Sequence, residues 1–213
     1  MEELFRLGKE AQKNGSQFTV TAYMLELYND KLVDLLNNPK AKPEELQIKK
    51  DEKGMVFIQG ATLVPASDPA ELQAIMDKGN ARRHTSQTNM NDQSSRSHLI
   101  FAMILETVIK GSKTKVVGKM SLVDLAGSER VKKTDASGER LQEAQSINKS
   151  LSALGDVIAA LSAGEKFVPY RNNKLTLLMS DSLGGNAETL MFVNFSPADY
   201  NARRPCPSPR RPA

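Results

Sequence analysis

Ser121-Leu-Val-Asp-Leu-Ala-Gly-Ser-Glu-Arg130 begins apolar and ends charged, and its character changes at one carboxylate. With Met120 before it, the run through Leu122 and Val123 reads as a buried strand that stops at Asp124. A small, flexible Ala126-Gly127 pair follows, and then Ser-Glu-Arg. This layout suits a nucleotide switch, because a strand delivers an acid to the carboxyl edge of an α/β sheet, where ligands bind. The acid can hold a Mg²⁺-bound water, and a glycine N–H can approach a γ-phosphate because no Cβ intervenes. A lone D-x-x-G arises often by chance. A second element upstream, Asn91-Asp-Gln-Ser-Ser-Arg-Ser-His98, adds weight to it.

That upstream element, 91–98, offers three serine hydroxyls, an arginine and an imidazole, and the polar loop that holds most of it, 85–97, is too long for a tight turn. Hydroxyls ligate Mg²⁺ or position an attacking water. Arg96 can pair with Glu129 of the second segment and close both over a γ-phosphate, a latch formed only when nucleotide orders them. The bland alternative is a serine-rich surface loop with a solvated arginine. Two such segments favour the switch, since each adjoins a strand of one predicted hairpin, 99–109 with 115–124 around Gly111-Ser112.

The remaining elements follow in order. Residues 1–13 carry a short amphipathic helix pattern, and 18–27, rich in Thr, Val and Tyr, reads as a central strand. Tyr28-Asn-Asp30 is expected to cap a short helix over 31–36. The segments 46–48 and 55–58 flank a charged hairpin tip. Asp68-Pro-Ala-Glu71 combines an N-cap acid, proline at the first helical position and Glu at the third, and the helix should run to about Arg83. Leu141, Ala144, Ile147, Leu151, Leu154, Ile158 and Leu161 recur at steps of three and four, predicting one long helix stopped by Gly164. A helix from Pro169-Tyr170 through Leu183 and an apolar strand over 189–194 complete the pattern.

Composition narrows the class. The 213 residues are 39% hydrophobic and 25% charged, which suits one globular domain with a sizeable core. The net charge of +4 equals that of the last thirteen residues, which hold four arginines and no acid, so the body is balanced. A charge-balanced body gives no reason to expect nucleic-acid binding. The single cysteine, Cys206, permits no intrachain disulfide and no cysteine metal cluster, which fits a reducing compartment. No apolar run reaches membrane-spanning length, and Met1-Glu-Glu lacks a signal peptide's basic start, so a soluble cytosolic protein without membrane contact is expected. The tail 201–213, with its four prolines, is expected to be disordered.

Four motifs carry a family resemblance. Asn91-x-x-Ser-Ser-Arg-Ser-His98, Asp124-Leu-Ala-Gly-Ser-Glu129, Ile147-Asn-Lys-Ser-Leu151 and Tyr170-Arg-Asn-x-Lys-Leu-Thr176 resemble the signatures of the kinesin motor domain, in the family's order and spacing. Tyr28-Asn-Asp is similar to the family's earlier Tyr-Asn-Glu. Ser152-Ala-Leu-Gly-Asp-Val-Ile158 and Asp181-Ser-Leu-Gly-Gly-Asn186 look most like C-terminal-motor kinesins, particularly calmodulin-binding ones.

The resemblance covers 1–200 and implies an α/β, three-layer P-loop NTPase sandwich with a central mixed sheet. It implies a microtubule-stimulated ATPase using ATP and Mg²⁺, tubulin as partner, movement toward the minus end, and a cytoplasmic, microtubule-associated location. Ser94 would position the water, and Ser95 and Asp124 would hold Mg²⁺, Asp124 through water. Asn91, Ser97 and His98 would border the nucleotide, Gly127 would sense the γ-phosphate, and Arg96–Glu129 would be the latch. The helix carrying Asn148 and Lys149 would lie on tubulin, with Lys132, Lys133, Tyr170, Arg171 and Lys174 on the same face.

The sequence also departs from the family. It contains no G-x-x-x-x-G-K-[ST], whose backbone N–H groups and lysine supply most phosphate binding. After Ser196-Pro-Ala the chain turns into Arg-Arg-Pro-Cys-Pro-Ser-Pro-Arg-Arg, which reads as out-of-frame or intronic coding. The expectation is therefore the C-terminal two-thirds of a motor domain, with early strands and phosphate loop missing, and any calmodulin contact in a region outside this chain. The alternative is a non-catalytic, truncated microtubule-binding protein.

Overall fold

The computed structural model describes residues 1–38, 40, 45–85, 93–111, 115–127 and 139–194. In chain order these form α1 (Glu2–Lys13), β1 (Gln17–Tyr28), β2 (Lys31–Asp34), β3 (Gln47–Lys50), β4 (Val56–Gln59), β5 (Val64–Ala66), α2 (Pro69–Thr85), β6 (His98–Val108), β7 (Lys115–Asp124), α3 (Glu139–Ser162) and α4 (Lys174–Leu178). Short 3₁₀ turns over Gln93–Arg96 and Tyr170–Asn172 precede β6 and α4.

The chain divides into two compact units, Met1–Lys49 with Phe57–Ile147, and Lys50–Val56 with Asn148–Ala213. In the first, β1 is paired along both sides. One side carries β2 and β5, the other β6, and β6 in turn carries β7, so the order is β2-β1-β6-β7. Every pairing in this sheet is antiparallel among the described residues. Strand alternation puts Val20, Ala22 and Met24 on one face beside Phe101 and Met103, and Phe5 of α1 with Leu72 and Ile75 of α2 completes that core. Two glycines let the helices approach. A Cβ at Gly8 would run into the Phe18 ring, and one at Gly79 would run into the Met24 side chain.

The three agreeing start signals of α2 work as expected. Asp68 Oδ1 accepts from the Glu71 N–H at 2.8 Å, and Glu71 Oε2 accepts from the Ser67 N–H at 2.7 Å. The hairpin β6–β7 also forms as expected, pairing Leu99 with Asp124 and Val108 with Lys115. So does the long helix, ended by Gly164 at φ 66°.

Other expectations are corrected. Residues 31–36 are not a helix: Asn29 and Asp30 take φ 47° and 58°, turning β1 back into β2 with Tyr28 opposite Lys31. Asn and Asp tolerate this left-handed geometry, and it matches the twist of a two-residue hairpin. The buried stripe of α3 is rotated from the predicted one. It runs through Ile147, Ser150, Ala153, Leu154, Val157 and Ala160, while Leu151 and Ile158 are only half-buried. Ser150, Ala153 and Ala160 are small or polar, and a search for large apolar residues overlooks them.

In the second unit, the helix expected over 169–183 is a 3₁₀ turn followed by the short α4. Residues 189–194 form no strand, and Leu190 and Phe192 are exposed. An apolar run becomes a strand only when a neighbouring strand accepts its backbone groups. Residues 201–213 lie outside the described residues.

Candidate functional site

The first unit gathers most of the described residues predicted for the switches at the Asp124 end of β7. Its foundation is an acid inside the sheet, Glu26 of β1, which is 2% exposed. Burying a carboxylate is costly unless donors surround it. Ser97 Oγ donates to Glu26 Oε1 at 2.6 Å, and the Arg83 guanidinium lies 3.6 Å from the same oxygen. Arg83 also donates to the Ser97 carbonyl at 3.1 Å, to Ser97 Oγ at 3.2 Å and to Asp124 Oδ2 at 3.1 Å. One guanidinium from the end of α2 thus ties the upstream polar segment to the acid that ends β7. The Asp124 side chain is 67% exposed, so its carboxylate faces solvent while one oxygen is anchored.

Two further bonds join the segments. The Gly127 N–H donates to the Ser95 carbonyl at 2.7 Å. The Ala126 N–H donates to His98 Nδ1 at 3.0 Å, which places the imidazole proton on Nε2. His98 is buried, and burial first, then the neighbouring Arg83 charge, opposes its protonation. The Asp124 and Asp30 carboxylates pull the other way, and the net effect lowers its pKa to about 4. His98 is therefore a neutral acceptor that fixes the start of the Ala126-Gly127 segment.

Ser94 lies in the 3₁₀ turn before β6, and Ser95 there is half-buried. Arg96 does meet an acid, but it is Glu143 of α3, at 3.0 Å. Ser97 and His98 are buried, and Ser97 Oγ and His98 Nδ1 are engaged by protein groups. Asn91, Glu129, Lys132 and Lys133 lie outside the described residues. Ser95, Ser97, His98, Asp124 and Gly127 are thus brought into one hydrogen-bonded assembly.

Sequence reasoning missed Glu26, Arg83 and Glu143. The first left a trace, an acid between leucines in a predicted central strand, which demands a buried partner. Arg83 and Glu143 left none, because charged residues on helices are usually solvated.

The second unit holds the other predicted surface. Arg171, Lys174 and Lys149 are exposed, and Asn148 is half-buried. Lys50 Nζ sits 5.5 Å from the Tyr170 ring centroid, a cation–π contact, and the Val56 N–H donates to Asp181 Oδ2 at 2.8 Å. Within the motif that begins at Tyr170, Asn173 and Thr176 are supports. Asn173 Oδ1 caps α4 by accepting from the Leu175 N–H at 2.9 Å, and Thr176 Oγ1 donates to the Tyr170 carbonyl at 2.8 Å.

The donor set suits a magnesium nucleotide in kind, with a hydroxyl-bearing turn, a solvent-facing carboxylate and a glycine N–H within one assembly. No cluster of metal-binding side chains is found among the described residues. Octahedral Mg²⁺ keeps several waters and needs only one or two protein ligands, so such a cluster is not required. No helix among the described residues is long and apolar enough to cross a membrane.

Known proteins share the sequence and the fold of this chain. The kinesin motor domain family model matches residues 1–206. Kinesin-like protein KIN-14E of Arabidopsis thaliana is 58% identical over 200 residues, covering 94% of this chain and 16% of that protein. The chain therefore spans about a sixth of the length of that relative. A solved structure of the C-terminal motor and motor homology domain of Kar3Vik1, fused to a synthetic coiled coil, superposes with a TM-score of 0.79. It is 39% identical and covers 92% of this chain and 51% of its own. KIF14 (391–755) with ADP in complex with a microtubule superposes with a TM-score of 0.74 at 36% identity, covering 87% of this chain and 55% of its own.

Proposed function

The chain belongs to the kinesin motor domain family, whose motors are microtubule-stimulated ATPases, and we propose that it supplies the switch and tubulin-facing part of an ATP-driven microtubule motor. The observation that carries this reading is the double junction between the two switch segments. Gly127 N–H meets the Ser95 carbonyl, and Arg83 bridges Ser97 to Asp124. Two segments so joined cannot respond to a ligand independently.

Each residue then takes a role. Ser95 and Asp124 hold the Mg²⁺ shell, Asp124 through water, and Ser94 orients the attacking water. Asn91 borders the nucleotide. Mg²⁺ bound with ATP supplies charge neutralisation at the phosphates. Gly127 senses the γ-phosphate by releasing the Ser95 carbonyl, so its N–H has two alternative acceptors and the switch two positions. Arg96 and Glu129 close the latch. Ser97 and His98 act from beneath as positioning groups, because Ser97 Oγ and His98 Nδ1 are already engaged.

Lys132, Lys133, Asn148, Lys149, Tyr170, Arg171 and Lys174 form the tubulin-facing set, which places the protein on cytoplasmic microtubules. The microtubule complex of KIF14 supports that partner. Similarity to KIN-14E and to the Kar3Vik1 motor supports minus-end-directed movement.

The test is microtubule co-sedimentation of the full-length protein with ADP and with a non-hydrolysable ATP analogue. Glu129→Ala is expected to remove the difference in affinity between the two states. An unchanged difference in affinity between the two states in that variant would sink the latch.

A further inference from the structure

The arginine assigned to the latch already holds a partner. Arg96 Nη1 lies 3.0 Å from Glu143 Oε2, on the first part of α3 and outside every motif quoted above. The other oxygen of that carboxylate, Oε1, accepts from the Tyr28 hydroxyl at the end of β1. Glu143 is 13% exposed and Arg96 28%, so the pair is partly withdrawn from water, where opposite charges attract more strongly than on open surface. Donors from two elements fix the carboxylate on two sides. It is a built receptor for a guanidinium.

We propose that Glu143 is a positioning residue of the ATPase cycle that competes with Glu129 for Arg96 and holds switch I open until the nucleotide latch forms. The proposal rests on the latch reading given above. Its logic is linkage. Whatever stabilises the open arrangement lowers the affinity for a ligand that needs the closed one, and leaves a ligand indifferent to closure unaffected. Glu143 also shares α3 with Asn148 and Lys149, so displacement of that helix on a filament would loosen the hold and favour closure.

Two measurements test it. In the 213-residue chain, a double-mutant cycle of Arg96→Ala and Glu143→Gln, read from urea unfolding, is expected to show a coupling of about threefold in the unfolding constant. Additivity means that the ion pair does not exist in solution, and overturns the proposal. In the full-length protein, Glu143→Gln is expected to tighten binding of a non-hydrolysable ATP analogue by about threefold and leave ADP affinity unchanged. Tyr28→Phe should act in the same direction and more weakly. Adding Glu129→Ala should abolish the gain.

Equal tightening of both nucleotides, no tightening, or a gain that survives Glu129→Ala would each overturn competition. If Glu129→Ala alone leaves the analogue-to-ADP affinity ratio unchanged, the latch itself has failed. The 96–143 cycle still reports on the ion pair in that case, so the two failures are told apart.

Discussion

His98 ties the start of β6 to the residues that follow β7 through one ring nitrogen. Its Nδ1 lone pair receives the Ala126 N–H, so protonation there breaks the bond that starts the Gly127 segment. The unfolded chain takes up a proton near pH 6.5, whereas the folded one resists until about pH 4. The stabilisation is thus complete above pH 6.5 and is lost as pH falls toward 4, a total of roughly 3 kcal/mol. His98→Asn offers an oxygen acceptor that does not titrate, so urea unfolding of the variant should lose that part of the acid slope while other carboxylates keep theirs. An identical slope in both proteins would show that the imidazole is not held neutral.

Among the elements, legibility followed the kind of physics involved. The start of α2 could be read because its cap chemistry is local, within Ser67 to Glu71. The hairpin β6–β7 could be read because alternation and a glycine turn are local too. The β2 strand was misread because the same Tyr28-Asn-Asp serves a helix cap and a left-handed hairpin turn, and only pairing with β1 decides between them. The site was legible where hydroxyls, an acid and a glycine cluster in sequence. It was opaque where Glu26, Arg83 and Glu143 arrive from distant elements. Close packing of helix on strand is equally silent, since Gly79 looks like a weak point in α2 rather than a requirement. Gly79→Ala would drive a methyl into the side chain of Met24, itself 1% exposed, which must then change rotamer inside the core. Urea unfolding should show a loss of about 1–3 kcal/mol. A neutral or stabilising result would mean that α2 can lift off β1 at little cost.

At the scale of the molecule, the sheet ends on β7, whose outer side has no strand partner among the described residues. Val116, Met120 and Leu122 on one face of that strand are exposed, so edge and face together invite another chain. The isolated 213-residue chain is expected to self-associate with rising concentration, and Met120→Lys to suppress this, as sedimentation velocity would report. Equal association of both proteins would place the contact elsewhere. The pairing of β1 has a consequence in time. Its hairpin with β2 closes through two residues, but its other side must wait for β6, where Leu27 meets His98. Distant pairings form slowly because loop-closure entropy is met before contacts repay it. On the ribosome, β1 therefore emerges with one flank satisfied and the other bare until β6 and β7 have been made. Pulsed hydrogen exchange should find the β1–β2 amides protected first, and simultaneous protection of both sides would refute that order. A strand that ends up paired along both sides is, during synthesis, a bare edge for a chaperone to cover.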